Sequence, residues 1–210
     1  MSTATYRARR IRRANVRRRR LAALVMLLGL GALAVGIAGV AGIGPLADEV
    51  REITLPLQHE DIIRQQADDK DVDAALIAAV IFEESKFHDQ TSRAGARGLM
   101  QITPATADYI AAKSGGIAFE QGDLASPQIN IAYGAWYLDY LTEKYEGHEL
   151  AAIAAYNAGE GTVDEWVTTA GGLDVFDEGD IAFPETREYV DGVMDHRAAY
   201  RKHYDSELGY

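Results

Sequence analysis

The chain has 210 residues, a formal net charge of -11 and no cysteine, which excludes disulfide staples, thiol nucleophiles, lipid attachment through cysteine and sulfur-ligated metals. Its charge is split: residues 1–20 carry nine Arg and no acid, whereas from Asp48 onward 12 Lys and Arg face 32 Asp and Glu, a net of -20. A folded part so acidic is excluded as a nucleic-acid binder, because phosphate backbones demand cationic surface.

The basic head, residues 1–20, is expected to be cytoplasmic. No charge occurs from Leu21 to Ala47. Some 20 helical residues cross a hydrocarbon core, so residues 21–43 are expected to form a transmembrane anchor. The positive-inside rule then places the C-terminal part outside the cytoplasm, in a single-pass cell-membrane arrangement. The rival is a cleaved signal peptide, but h-regions are shorter and "GPLA" is a poor small-x-small site. The next stretch, "GPLADEVREITLPL" at 44–57, has two prolines and no clear period, and reads as a linker or stalk.

From residue 58 to 206 the patterns are helical, with very little period-two alternation. Helices are expected over His59–Ala67, Ala74–Phe87, Pro104–Ser114, Ile129–Tyr145, Ala151–Asn157, Gly161–Thr169 and Glu185–Tyr204, separated by turn signals such as "SGG" and "AGG". Asp73 is the expected N-cap of the second helix, and Thr103 precedes a proline suited to the first turn of the third. These patterns make the fold class all-α. About 150 residues bury enough surface to hold together without staples.

The second helix, "AALIAAVIFEES", is apolar yet ends in two carboxylates. At 100° per residue, Leu76, Ile77, Val80, Ile81 and Phe87 fall in one sector. Glu84 points into it, whereas Glu83 falls at its edge beside water, and Phe82 points away and needs a second packing surface. A carboxyl on an apolar face keeps its proton to higher pH, as a general acid requires. A lone Glu at a helix end is more often simply solvated or ion-paired.

"FEESKF", "TSRAGARGLMQITPATA" at 91–107, "AAYNAGEGTV" at 154–163 and "FPETREYV" at 183–190, in this order, resemble the SLT-like catalytic domain of lytic transglycosylases, whose lysozyme-like fold is shared with goose-type lysozymes. The resemblance covers nearly all of the acidic part. It implies that Glu84 is the sole catalytic acid/base, paired with Ser85 in the family's "ES". It implies further that Ser92 and Gln101 line the sugar site, that Tyr156 and Asn157 sit over the acid and the substrate, and that Glu185 and Tyr189 support the centre. Each has a plainer reading. Ser92 satisfies a turn, Gln101 caps a helix, Tyr156 is a core aromatic bonded to backbone, and Glu185 pairs with Arg187. Two departures bear on the sugar subsites: "HDQT" at 88–91 is about one residue short, and Thr103 stands where many members carry a second Met.

The implied reaction is cleavage of the bond between N-acetylmuramic acid and N-acetylglucosamine in peptidoglycan, closing a 1,6-anhydro ring without water. The alternatives are a hydrolytic muramidase of the same fold, which a second well-placed carboxylate would favour, and a non-catalytic wall-binding or scaffold module. Five His lack metal spacing, and "DDKDVD" at 68–73 lacks the glycine and distal Glu of a calcium loop, so no metal or cofactor is expected. The expected partners are peptidoglycan strands and the membrane.

Overall fold

The computed structural model describes residues 47–115 and 119–210. The expected basic head and the expected transmembrane anchor at 21–43 lie outside the described residues. Among the described residues, no helix is long and apolar enough to cross a membrane. The chain divides into two compact units at Thr54 and Leu55. The first contributes helix α1, Ala47–Thr54, in the stretch read as an aperiodic linker.

The second unit is all-helical, as the patterning predicts. Its main helices are α2 (Glu60–Lys70), α3 (Ala74–Ser85), α4 (Pro104–Ser114), α5 (Pro127–Lys144), α6 (Glu149–Ala158), α7 (Glu160–Ala170) and α8 (Pro184–His203), closed by a short α9 (Asp205–Leu208). Each of the seven expected helices is present; Pro104–Ser114 has the expected ends, and no end of the others moves by more than three residues. Short 3-10 turns at Gln121–Ala125, Leu173–Val175 and Glu178–Asp180 had no periodic signature.

Helix α3 is the centre of the packing. Residues 74–82 and Ser85 are all buried, so the helix is apolar all round and not on one stripe. It packs most extensively against α8 and also against α2 and α5. Full burial of side chains such as Ile77, Val80 and Ile81 stabilises by about 1.5–3 kcal/mol each. Phe82, which needed a second surface, finds it on α8 against His196 and Tyr200.

Local chemistry fixes both ends of α3. Asp73 caps it by accepting from the Ala75 amide at 3.0 Å. At the other end Lys86 and Phe87 both adopt left-handed backbone, at φ 52° and 62°. Such conformations cost non-glycine residues roughly 1–2 kcal/mol each. Burial of Phe87, edge-on to Tyr200, offsets part of this. The chain therefore reverses directly after Glu84 and Ser85.

The segment that follows is folded by polar clips. Two isolated bridges pair Arg97 with Thr91 and with Ile102. Asn130, fully buried on α5, accepts from the Met100 amide at 2.8 Å and donates to the carbonyls of Arg97 (2.9 Å) and Leu124 (3.1 Å). This clip needs Gly98, whose φ is +75° and where a Cβ would stand 2.1 Å from the Asn130 amide nitrogen. The "GLMQ" stretch is thereby seated rigidly on α5.

Candidate active site

Glu84 is half-buried at the C-terminal end of α3. The Tyr189 hydroxyl, on α8, donates to its Oε1 at 2.8 Å. Burial pushes the Glu84 carboxyl up to about 7; the Tyr189 bond opposes this and the neighbouring Glu83 charge adds to it. A carboxylate at a helix C-terminus is also disfavoured by the helix dipole. Among the described residues no Lys or Arg pairs with it. This carboxyl holds its proton toward neutral pH, the state a general acid requires.

Tyr156, on α6, is the second phenol of the site. Burial raises its ionisation well above the ordinary phenol range, and the nearby Glu84 charge acts in the same direction. Tyr189 is raised in the same way, by burial first and then by Glu84 and Tyr156. Both therefore serve as neutral donors. The Tyr156 hydroxyl donates to the Met100 carbonyl at 3.0 Å, so the plainer reading of Tyr156 also holds: it ties α6 to the "GLMQ" wall.

Beside Tyr156 lies a cleft of about 270 Å³, lined by Gln101, Thr103, Thr106, Tyr137, Asn157 and Gly159 among others. Tyr137 packs against Tyr156, ring centroids 5.6 Å apart, and gives the cleft an aromatic flank. The structure brings Gln101, Tyr156 and Asn157 together around one concavity and sets Tyr189 against Glu84.

Ser85, Ser92 and Gln101 also make bonds within the protein. Ser85 is buried and its hydroxyl donates back to the Ile81 carbonyl at 3.1 Å, so it supports the helix. Ser92 organises a turn: its Oγ accepts from the Ala96 amide at 3.0 Å. Gln101 stands in left-handed backbone, and its amide nitrogen donates to the carbonyls of Gln90 (3.0 Å) and Gly98 (2.8 Å), closing the loop that forms the wall. Glu185 is exposed in the first turn of α8, and no ion pair joins it to Arg187, whose guanidinium donates to the Ile181 carbonyl. Its neighbour Thr186, fully buried, donates to the Asn157 Oδ1 at 2.8 Å and fixes that amide. Glu83, expected beside water, is packed against α8 with His196 Nδ1 at 2.6 Å from its Oε1.

Sequence reasoning missed Asn130, Thr186 and Tyr137. Asn130 carried a usable signal, a polar side chain inside the apolar run "INIAYGAW", of the same kind that drew attention to Glu84. Thr186 and Tyr137 carried none, since their roles depend on partners 29 and 19 residues away in sequence.

Comparison with known proteins agrees with this arrangement. The model of the transglycosylase SLT domain matches residues 61–176. The chain is 34% identical over 163 residues to a soluble lytic murein transglycosylase of Escherichia coli K12, covering 75% of this chain and 25% of that protein. It is 38% identical over 98 residues to a membrane-bound lytic murein transglycosylase F of Yersinia pestis, covering 43% and 18%. The fold superposes with a TM-score of 0.68 and 32% identity on an inactive mutant of the lytic transglycosylase Slt from Pseudomonas aeruginosa, over 74% of this chain and 26% of that one. It also matches a 70-kDa soluble lytic transglycosylase in complex with bulgecin A, with a TM-score of 0.65 and 31% identity, over 72% and 25%. The chain thus spans about a quarter of the length of the soluble relatives it matches.

Proposed function

This chain belongs to the transglycosylase SLT domain family, with its lysozyme-like fold, and on that premise we propose that it is a peptidoglycan lytic transglycosylase with Glu84 as its single acid/base. The observation that carries the reading is the state of Glu84: half-buried, unpaired with any cation among the described residues, bonded to a neutral phenol, and raised to about 7.

Glu84 donates its proton to the oxygen joining N-acetylmuramic acid to N-acetylglucosamine, and the bond from that oxygen to the muramic anomeric carbon breaks. The sugar's own acetamido group meets the charge that develops at this carbon. Glu84, now a carboxylate, accepts the proton of the C6 hydroxyl as that oxygen bonds to the anomeric carbon and closes the 1,6-anhydro ring. One carboxyl performs both transfers and water is not consumed. Tyr189 stabilises the carboxylate between the two steps through its hydrogen bond. Tyr156 and Tyr137 form the aromatic flank, and Asn157, fixed by Thr186, offers its amide nitrogen to the cleft, so the sugar is oriented before reaction.

Hydrolysis by the familiar two-carboxylate schemes requires a second carboxylate as base or nucleophile. The adjacent candidate, Glu83, is engaged by His196 and packed on α8, which supports transglycosylation over hydrolysis. The reading includes an anchor: residues 21–43 span the membrane behind an Arg-rich cytoplasmic head, and the catalytic domain works outside the cytoplasm on wall close to the bilayer.

The test is the mass of the products. The full chain, incubated with purified peptidoglycan, is expected to release muropeptides one water lighter than hydrolysis products. Hydrated reducing ends would make it a muramidase, and intact glycan strands bound to the protein would make it a binding module.

A further inference from the structure

Helix α8 handles both carboxylates at the end of α3, from one face. Tyr189 meets Glu84, and Gly192 and His196, three and seven residues further on, meet Glu83. His196 Nδ1 lies 2.6 Å from Glu83 Oε1 and 2.7 Å from the Gly192 carbonyl, so one N–H is shared between the carboxylate and the backbone of its own helix. The imidazole is itself held by the Phe82 ring, at a centroid distance of 4.2 Å. Glycine is the poorest ordinary residue for a helix interior. At position 192 it leaves the space that Glu83 fills, since a Cβ there would stand 2.7 Å from Glu83 Oε1.

We propose that Glu83 and His196 form a positioning pair: the imidazole pins a second carboxylate against the bare backbone at Gly192, and that fixed negative charge sets the pH range over which Glu84 holds its proton. The proposal deepens the catalytic reading of Glu84 and rests on it. Glu83 acts through Glu84 and touches no substrate. A negative neighbour disfavours ionisation of Glu84, and it does so more strongly when held in place at a half-buried site than when free in water.

The other groups facing the pair leave this relation intact. Tyr189 and Tyr156 face Glu84 as neutral phenols, and Tyr200 of α8, held protonated by burial, faces Glu83. Lys86 extends over the Phe82 ring with its Nζ 4.2 Å from the centroid. Arg197 is turned to Asp73 and Glu149, and Asp191 and Asp195 on α8 are exposed.

The experiment follows the Glu84 carboxyl directly by carbon NMR through a pH titration of the full chain in detergent, independently of turnover. Glu83→Gln is expected to lower the Glu84 midpoint by on the order of half a pH unit. His196→Ala, which frees Glu83 to swing into solvent, is expected to lower it by less, and to have no effect once Glu83→Gln is present. Gly192→Ala favours the helix and displaces Glu83 while leaving His196 intact, so it should lower the midpoint in a protein that melts no earlier than wild type. The alkaline limb of glycan cleavage should move to lower pH by the same amounts. An unmoved midpoint in Glu83→Gln, a higher one in His196→Ala, or additive effects of the two overturn the proposal. Midpoints that move as expected without any cleavage by the wild type would instead refute the catalytic reading and leave the pair intact.

Discussion

Helix α3 carries acids at both ends and docks both on α8, yet the two ends are opposite in character. At its start, Asp73 caps the helix and is met by Arg197 and Arg201, with Glu149 completing the cluster. Burial there works to raise the Asp73 carboxyl, but the Tyr210 hydroxyl, the Arg197 guanidinium and the Ala75 amide outweigh it and bring it below the ordinary range. At its end burial raises the Glu84 carboxyl, the Glu83 charge and the unfavourable pole of the helix dipole act in the same direction, and the Tyr189 phenol alone opposes them, with no guanidinium among the described residues. The same helix pair therefore makes one carboxyl an anion that fastens the fold and leaves the other holding its proton toward neutral pH. Both carboxyls accept from a phenol, Tyr210 and Tyr189; the guanidinium and the backbone amide present at Asp73 and missing at Glu84 separate them.

Substitutions at the two ends should have opposite effects. The largest effect is expected from Glu84→Gln, which removes the transferable proton while keeping size and polarity. Glycan cleavage should fall by about 10³-fold with the fold retained, as read by muropeptide release. Asp73→Ala should do the reverse. Loss of the cap leaves Arg197 with Glu149 as its remaining anion and should cost about 3 kcal/mol in denaturant unfolding, while cleavage per folded molecule stays at the wild-type level.

Stability against pH should separate the ends next. For Glu84 the folded value lies above the unfolded one, near 7 against 4.5, so the folded state binds the extra proton between them. Stability then falls as pH rises through that window, by on the order of 2 kcal/mol after allowance for partial exposure, and Glu84→Gln should flatten the slope. For Asp73 the folded value lies below the unfolded one. Its contribution is present above about pH 4 and lost as pH falls further. Urea titrations at stepped pH on the wild type and both variants read the two slopes. The smallest effect is expected from Tyr189→Phe. Without its donor the Glu84 carboxylate is less favoured, so the alkaline limb of activity should move to higher pH while the maximal rate drops about tenfold.

What the sequence disclosed followed from how local each feature is. The Asp73 and Thr103 caps were legible because a cap bonds an amide two or three residues away. Glu84 was legible as an acid at the end of an apolar helix, and the order of the motifs brought Tyr189 and Tyr156 to it. The helical phase of Glu84 alone marked it less securely. It assumed one apolar stripe, whereas α3 is buried all round, and so it sent Glu83 to water when α8 covers it. His196, 113 residues away, had no sequence mark that tied it to Glu83. Ser85 and Ser92 show the converse: residues within recognisable motifs whose hydroxyls serve the helix and the turn that present the site. The proposed anchor at 21–43 and the proposed head at 1–20 lie outside the described residues and rest on hydropathy and charge alone.

The most direct measurement sets the full chain against its Glu84→Gln and Asp73→Ala variants, scoring muropeptide release per folded molecule and melting temperature at pH 8. The expected result is crossed: Glu84→Gln silent on glycan while melting no lower than wild type, and Asp73→Ala active while melting several degrees lower. Cleavage by Glu84→Gln at the wild-type rate, or a well-folded Asp73→Ala that cleaves nothing, would contradict the division of labour between the two ends of α3.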